Sequence, residues 1–119
     1  MECEMKTFLI CPVRGHDMSE TQEVVDRLEY AGFDVYWPPR DTDQTDPIGL
    51  QICKDNRAAI EEADIVHIVW DGKSTGSLFD LGMAFALGKP VIPISLPPET
   101  EHKSFQNMIM AYYEELQWA

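Results

Sequence analysis

The chain has 119 residues, 45% hydrophobic and 25% charged, the balance of one folded domain rather than of a disordered segment or of two separate cores. Nine Lys and Arg against 21 Asp and Glu leave a net charge of −12, a field that repels phosphate backbones and anionic lipid, so neither a nucleic-acid polymer nor a membrane is an expected partner. No apolar run approaches the roughly 20 residues of a membrane span, the acidic opening MECEMK does not resemble a signal peptide, and the odd, unpatterned Cys3, Cys11 and Cys53 suit reduced thiols in a cytoplasmic protein.

In chain order, TFLICPV (7–13) is an apolar strand ending at Arg14-Gly15. Ser19 to Ala31 carries Val24, Val25, Leu28 and Ala31 on one helical face, with Ser19 as the expected cap and Gly32 as the stop. DVYW (34–37) is a short strand stopped by Pro38-Pro39, and PPRDTDQTDP (38–47) is an irregular segment long enough to suspect of function. A helix is expected from Ile48 to Ala63, a β-branched strand DIVHIVW over 64–70, a helix from Ser77 to Leu87, a strand VIPI over 91–94 and a last helix from Ser104 to Leu116. Met83, Met108 and Met110 are expected to pack, and His67, inside an apolar strand, to be a buried or edge histidine.

Strand and helix thus alternate. Right-handed crossovers turn that pattern into a doubly wound, flavodoxin-like α/β sheet of four to five parallel strands, order 2-1-3-4(-5), in one domain over 1–119. The order reverses direction between strands 1 and 3, and ligands of such sheets sit outside the carboxyl ends at that crevice. Two loops meet there, CPVRGHD and WDGKSTGS. The second opens a helix with glycines and hydroxyls, an anion site that needs no net positive charge; equally, Asp71-Gly72 reads as a plain turn and Ser77 with Asp80 as a capping pair. The first loop offers Arg14 as a bidentate cation, Gly15 for close backbone approach, and His16 as a second donor or a solvated loop residue. Tyr36 or Trp37 could stack on a base and Arg40 or Asp41 could contact it, against the alternative of a core aromatic before a rigid turn. No His, Cys or carboxylate spacing suggests a metal, and no cofactor is expected.

The run AIEEADIVHIVWDGKSTGSLFDLGMAFALGKPVIPI resembles the signature half of the nucleoside 2-deoxyribosyltransferase family, which includes the 2′-deoxynucleoside 5′-monophosphate N-glycosidases. The shared pattern is Ala-Asp before an apolar strand, an acidic turn, Ser-x-Gly, an acidic residue followed by x-Gly-x-Ala, and Gly-Lys-Pro into the last strand; FLICPVRG is similar to the first strand and loop of the monophosphate-cleaving branch. The resemblance implies cleavage or exchange of an N-glycosidic bond through a carboxylate nucleophile, with the family's Glu falling on Asp80. It implies phosphate contacts from Ser74, beside Gly76, and from Arg14 and Gly15. Base or sugar contacts fall on Asp71, on Phe8 where the family has Tyr, and on Asn56 where it has a carboxylate, with Asp55 adjacent. Gln106 and Asn107 fall near residues that family members offer to a neighbouring subunit's site.

The expected function is therefore N-glycosidase or deoxyribosyltransferase chemistry on a nucleoside 5′-monophosphate. The alternative is a catalytically weakened module that binds a small nucleotide or nucleoside. A flavin-binding electron carrier fits less well, because the first loop lacks a Ser/Thr-rich phosphate cradle. Phe105, Met108, Ile109, Met110, Tyr112, Tyr113, Leu116 and Trp118 crowd apolar residues round the last helix, so a homodimer or larger homo-oligomer is expected, unless the segment wraps its own domain as a fifth edge element.

Overall fold

Near-continuous apolar runs can bury both faces of a strand, and the four found in the sequence pair as a parallel sheet. The computed structural model describes residues 4–13 and 17–118, without the side chains of the last two. Arg14, Gly15 and His16, expected at the phosphate, lie outside the described residues, as does Cys3. The element order is β1 (Lys6–Ile10), α1 (Ser19–Tyr30), β2 (Asp34–Tyr36), α2 (Pro38–Asp41), α3 (Leu50–Glu62), β3 (Ile65–Val69), α4 (Thr75–Ala86), β4 (Val91–Ser95) and α5 (Phe105–Trp118). All neighbours are parallel and the sheet order is β2-β1-β3-β4. Among the described residues the sheet stops at four strands; the C-terminal segment forms α5 rather than a fifth edge element.

Side chains alternate across each strand and so build two cores. Phe8, Ile10, Val66, Ile68 and Val91 face Ile60 and Ala63 of the α3 end, Leu81 and Ala84 of α4, and Ile109 of α5. Leu9, Cys11, Val35 and Trp37 face Val24 and Val25 of α1. His67 belongs to the sheet interior: its Nδ1 lies 2.6 Å from the Thr7 hydroxyl, Phe33 meets its ring edge-on, and burial pushes its pKa down, so it is held neutral. Lys89 joins distant elements. Its ammonium donates to the carbonyls of Glu61 (2.9 Å) and Ala63 (2.8 Å) at the end of α3, and its own carbonyl accepts from the Tyr112 hydroxyl of α5 (2.8 Å).

Several boundaries differ from expectation. Met18, not Ser19, is the N-cap of α1; the Ser19 N–H instead donates to Asp17 Oδ1 (2.9 Å). The irregular stretch after β2 opens with one helical turn, because Pro38 suits a first helical position and Asp41 accepts from the Trp37 N–H (2.8 Å). Arg40 is committed to that turn: it reaches Asp41 Oδ1 (2.9 Å), the Val35 carbonyl (2.7 Å) and Glu29 of α1 (3.2 Å). Helix α4 starts at Thr75, ahead of the expected Ser77. Its cap is Ser74, and Asp80 stands beyond the first turn rather than in it.

Candidate active site

Strands β1 and β3 send their chains to opposite sides of the sheet, which opens a crevice at their carboxyl ends. The loop after β3 is tightly made. Asp71 Oδ1 accepts from the N–H groups of Lys73 (2.9 Å) and Ser74 (2.8 Å), and the Trp70 indole N–H donates to the Ser74 carbonyl (3.1 Å). Gly72 turns the chain at φ +82°, and a Cβ there would stand 3.0 Å from Pro97 Cγ, so the loops after β3 and β4 close on each other. This geometry aims Ser74 into the start of α4. Its Oγ accepts from the Ser77 N–H (3.2 Å) and the Ser77 hydroxyl (3.0 Å), which leaves the Ser74 proton as a donor beside the exposed Gly76 backbone. Asp71 thus shapes the turn that carries Ser74.

Asp80 follows on α4, where the helix packs on α3 and β1. The residue is only half-buried, yet desolvation pushes its carboxyl up from 3.8 to about 7, opposed by the nearby Asn56 side chain, which favours the charged form. Asn56 is buried, only 6% exposed, so its amide is held among neighbours rather than offered to solvent. Its Oδ1 accepts from the Thr42 hydroxyl at 2.8 Å, and Thr42 Oγ1 lies 2.6 Å from the Tyr36 hydroxyl. Phe8 has no exposed surface and lies flat against the Tyr36 ring, centroids 5.4 Å apart and planes 12° from parallel. Of the adjacent pair on α3, it is Asn56 that meets Asp80. Asp55 turns aside, accepts from Gln51 Nε2 (2.9 Å) and borders a groove of about 620 Å³ along the β2 edge. Neither Asp80 nor Ser74 lines that groove, so the groove and the crevice are separate features.

On the α1 side, Trp37 is 5% exposed and packs in the core with Cys11. Its indole N–H has no hydrogen-bond partner meeting ordinary geometry among the described residues, although its proximity favours the Cys11 thiolate. Burial outweighs that help, and with the nearby Asp80 charge pushes the Cys11 thiol up to about 12. Cys11 is therefore a buried, neutral neighbour of Asp80 and not a nucleophile. Gln106 and Asn107 lash down the loop after β4: Gln106 Nε2 donates to the Pro98 carbonyl (3.1 Å), and Asn107 Nδ2 to the carbonyls of Thr100 (2.9 Å) and His102 (3.0 Å). Among the described residues no three His, Cys, Asp or Glu side chains could hold a metal ion, and no helix is long and apolar enough to cross a membrane.

Residues 8–109 match the model of a family described as nucleoside 2-deoxyribosyltransferase. The chain belongs to this family. The deoxyribosyltransferase match covers both crevice loops, Asn56 and Asp80. Among solved structures, a Clostridium botulinum CMP N-glycosidase, BcmB, superposes with a TM-score of 0.63 at 19% identity, over 90% of this chain and 81% of that one. The likeness shows a shared deoxyribosyltransferase fold. No curated protein matches the chain.

Thr42 is the site residue that sequence reasoning missed, and Tyr36, expected to stack on a base, instead bonds the Thr42 hydroxyl. The length of the 38–47 segment was the one available signal; it marked the stretch without singling out Thr42.

Proposed function

We propose that the chain acts on the N-glycosidic bond of a nucleoside or deoxynucleoside 5′-monophosphate, with Asp80 as the nucleophile. The observation that carries this reading is a single partly desolvated carboxylate, Asp80, at the strand-order reversal of a deoxyribosyltransferase-family sheet. An Asp80 oxygen forms a bond to C1′ of the sugar while the C1′–N bond breaks and its electron pair leaves with the base, which takes a proton. Water, or a second base, then attacks C1′ and frees the carboxylate. Ser74 and the first N–H groups of α4 face the side on which a phosphate is favoured by hydrogen bonding and by the helix dipole. Arg14, Gly15 and His16 complete the phosphate side in this reading. The CMP N-glycosidase among the similar structures supports a monophosphate substrate.

The test is incubation with a panel of nucleoside and deoxynucleoside 5′-monophosphates, followed by chromatography for free base, with Asp80→Ala as control. Base release that Asp80→Ala abolishes supports the reading. Binding without release from any substrate overturns it in favour of a second one, a nucleotide-binding module. That second reading is favoured by one observation: a carboxyl pushed up to about 7 is substantially protonated at neutral pH, and Asp is one methylene shorter than the family's Glu.

A further inference from the structure

Each hydroxyl has one proton, and that count gives the hydrogen bonds behind Asp80 a direction. The Thr42 proton goes to Asn56 Oδ1 at 2.8 Å. Thr42 can then only accept at its 2.6 Å contact with Tyr36, so the Tyr36 hydroxyl donates. The Asn56 contact lowers the Asp80 pKa, which only a donor does, so with Oδ1 turned to Thr42 it is the NH₂ end that faces the carboxylate. The opposite sense would have Asp80 protonated and donating to a flipped Asn56, Asn56 donating to Thr42, and Thr42 donating to Tyr36. The Tyr36 proton would then end on the Asp41 carbonyl at 3.3 Å, a much longer contact than 2.6 Å. The short bonds therefore favour the sense in which the Asn56 NH₂ faces Asp80, a donor that a carboxylate accepts more strongly than a neutral acid does.

We propose that Tyr36 and Thr42 are positioning residues: they orient the Asn56 amide so that its N–H groups face Asp80 and hold the carboxylate charged for attack on the sugar. The role in attack rests on the function proposed above, whereas the orientation of Asn56 does not. The Phe8 ring supports the chain from below by fixing the plane of Tyr36. Among the described residues, the other groups near Asp80 leave this control to Asn56. From β1 the Cys11 thiol, itself pushed up to about 12, is neutral. From α3, Asp55 is tied to Gln51, while Lys54 and Arg57 are exposed. On the α1 side, Trp37 presents an uncharged indole.

The experiment is a carbon-13 NMR titration of the Asp80 carboxyl in the full chain without nucleotide, for the wild type, Thr42→Val, Thr42→Ser and Tyr36→Phe. Thr42→Val keeps the shape, strips Asn56 Oδ1 of its donor and frees the amide to turn, so the Asp80 midpoint should rise by about one unit. Thr42→Ser should restore the wild-type midpoint, and Tyr36→Phe should raise it by less than Thr42→Val. If Thr42→Val fails to fold, Tyr36→Phe against wild type still decides. A folded variant with an unchanged midpoint, or a Thr42→Ser that behaves like Thr42→Val, overturns the proposal. Where base is released, the Thr42→Val rate profile should move to higher pH with the midpoint. If wild type releases no base while the midpoints move as stated, the glycosidase reading has failed and the positioning of Asn56 stands.

Discussion

Asp80 holds its proton more tightly in the folded chain than in an unfolded one, with a carboxyl near 7 instead of 3.8. The folded state therefore binds the extra proton between those values. The group's contribution to stability is full below 3.8 and is lost as pH rises through about 7. Asp80→Asn keeps the shape and removes the desolvated charge, so at about pH 8 its Tm should exceed wild type by roughly 4 °C or more, the gap closing near pH 4; differential scanning fluorimetry checks it. Catalysis has the opposite dependence, since the ionised form attacks: base release should climb through about pH 7 and level off above it. Cys11 gives a second prediction at this scale. With its thiol at about 12, roughly one molecule in ten thousand carries the thiolate at pH 8, so iodoacetamide should label the half-buried Cys53 long before Cys11, as peptide mass mapping would read. Early loss of the Cys11 peptide would contradict the packing of Trp37 against it.

Among the elements, α4 shows what a sequence can and cannot disclose. Its existence, its apolar face and its place after β3 were legible, because Leu78, Leu81, Ala84 and Phe85 recur at helical spacing. Its first residue was not. Ser77 with Asp80 fits a capping pattern as well as Ser74 with Ser77 does, and what decides between them is the Asp71 turn, which brings in the Ser74 N–H at 2.8 Å. The same division holds at the site. Topology pointed to the two loops, and the family resemblance singled out Ser74 and Asp80 within and after the second. The link from Tyr36 through Thr42 and Asn56 joins β2, the segment after α2, and α3 by side-chain hydrogen bonds, which leave no periodic trace. Ser74→Ala should cost about 1 kcal/mol through the lost cap, visible in urea denaturation. It should also weaken monophosphate binding more than nucleoside binding by titration calorimetry. Equal loss for both ligands would confine Ser74 to the helix.

For the molecule as a whole, the unresolved balance is between apolar surface and charge. Ile109 is fully buried and Met108 and Tyr112 pack on the core, so α5 covers part of its own sheet, yet Phe105, Met110 and Leu116 remain exposed, as do Phe79 and Phe85 of α4. A homodimer that covers some of this surface is the assembly we propose, against the repulsion of a chain carrying −12. Light scattering should give twice 13.6 kDa at micromolar concentration and more dimer as salt is raised; a mass of 13.6 kDa throughout would refute it.

Lys89 ties together parts of the chain that the sheet alone would leave independent. Its ammonium occupies the carbonyls at the end of α3, while its own carbonyl holds the Tyr112 hydroxyl. Detaching α5 therefore disturbs the residue that closes α3, and fraying of α3 loosens the anchor of α5. In native-state hydrogen exchange the two helices should open as one cooperative unit, with amides near Ile60 and Ile109 sharing an opening free energy and a denaturant dependence. Lys89→Met would split that unit, leaving α5 to exchange ahead of α3. The apolar C-terminal helix would then be exposed in brief local openings while the rest of the fold stayed intact.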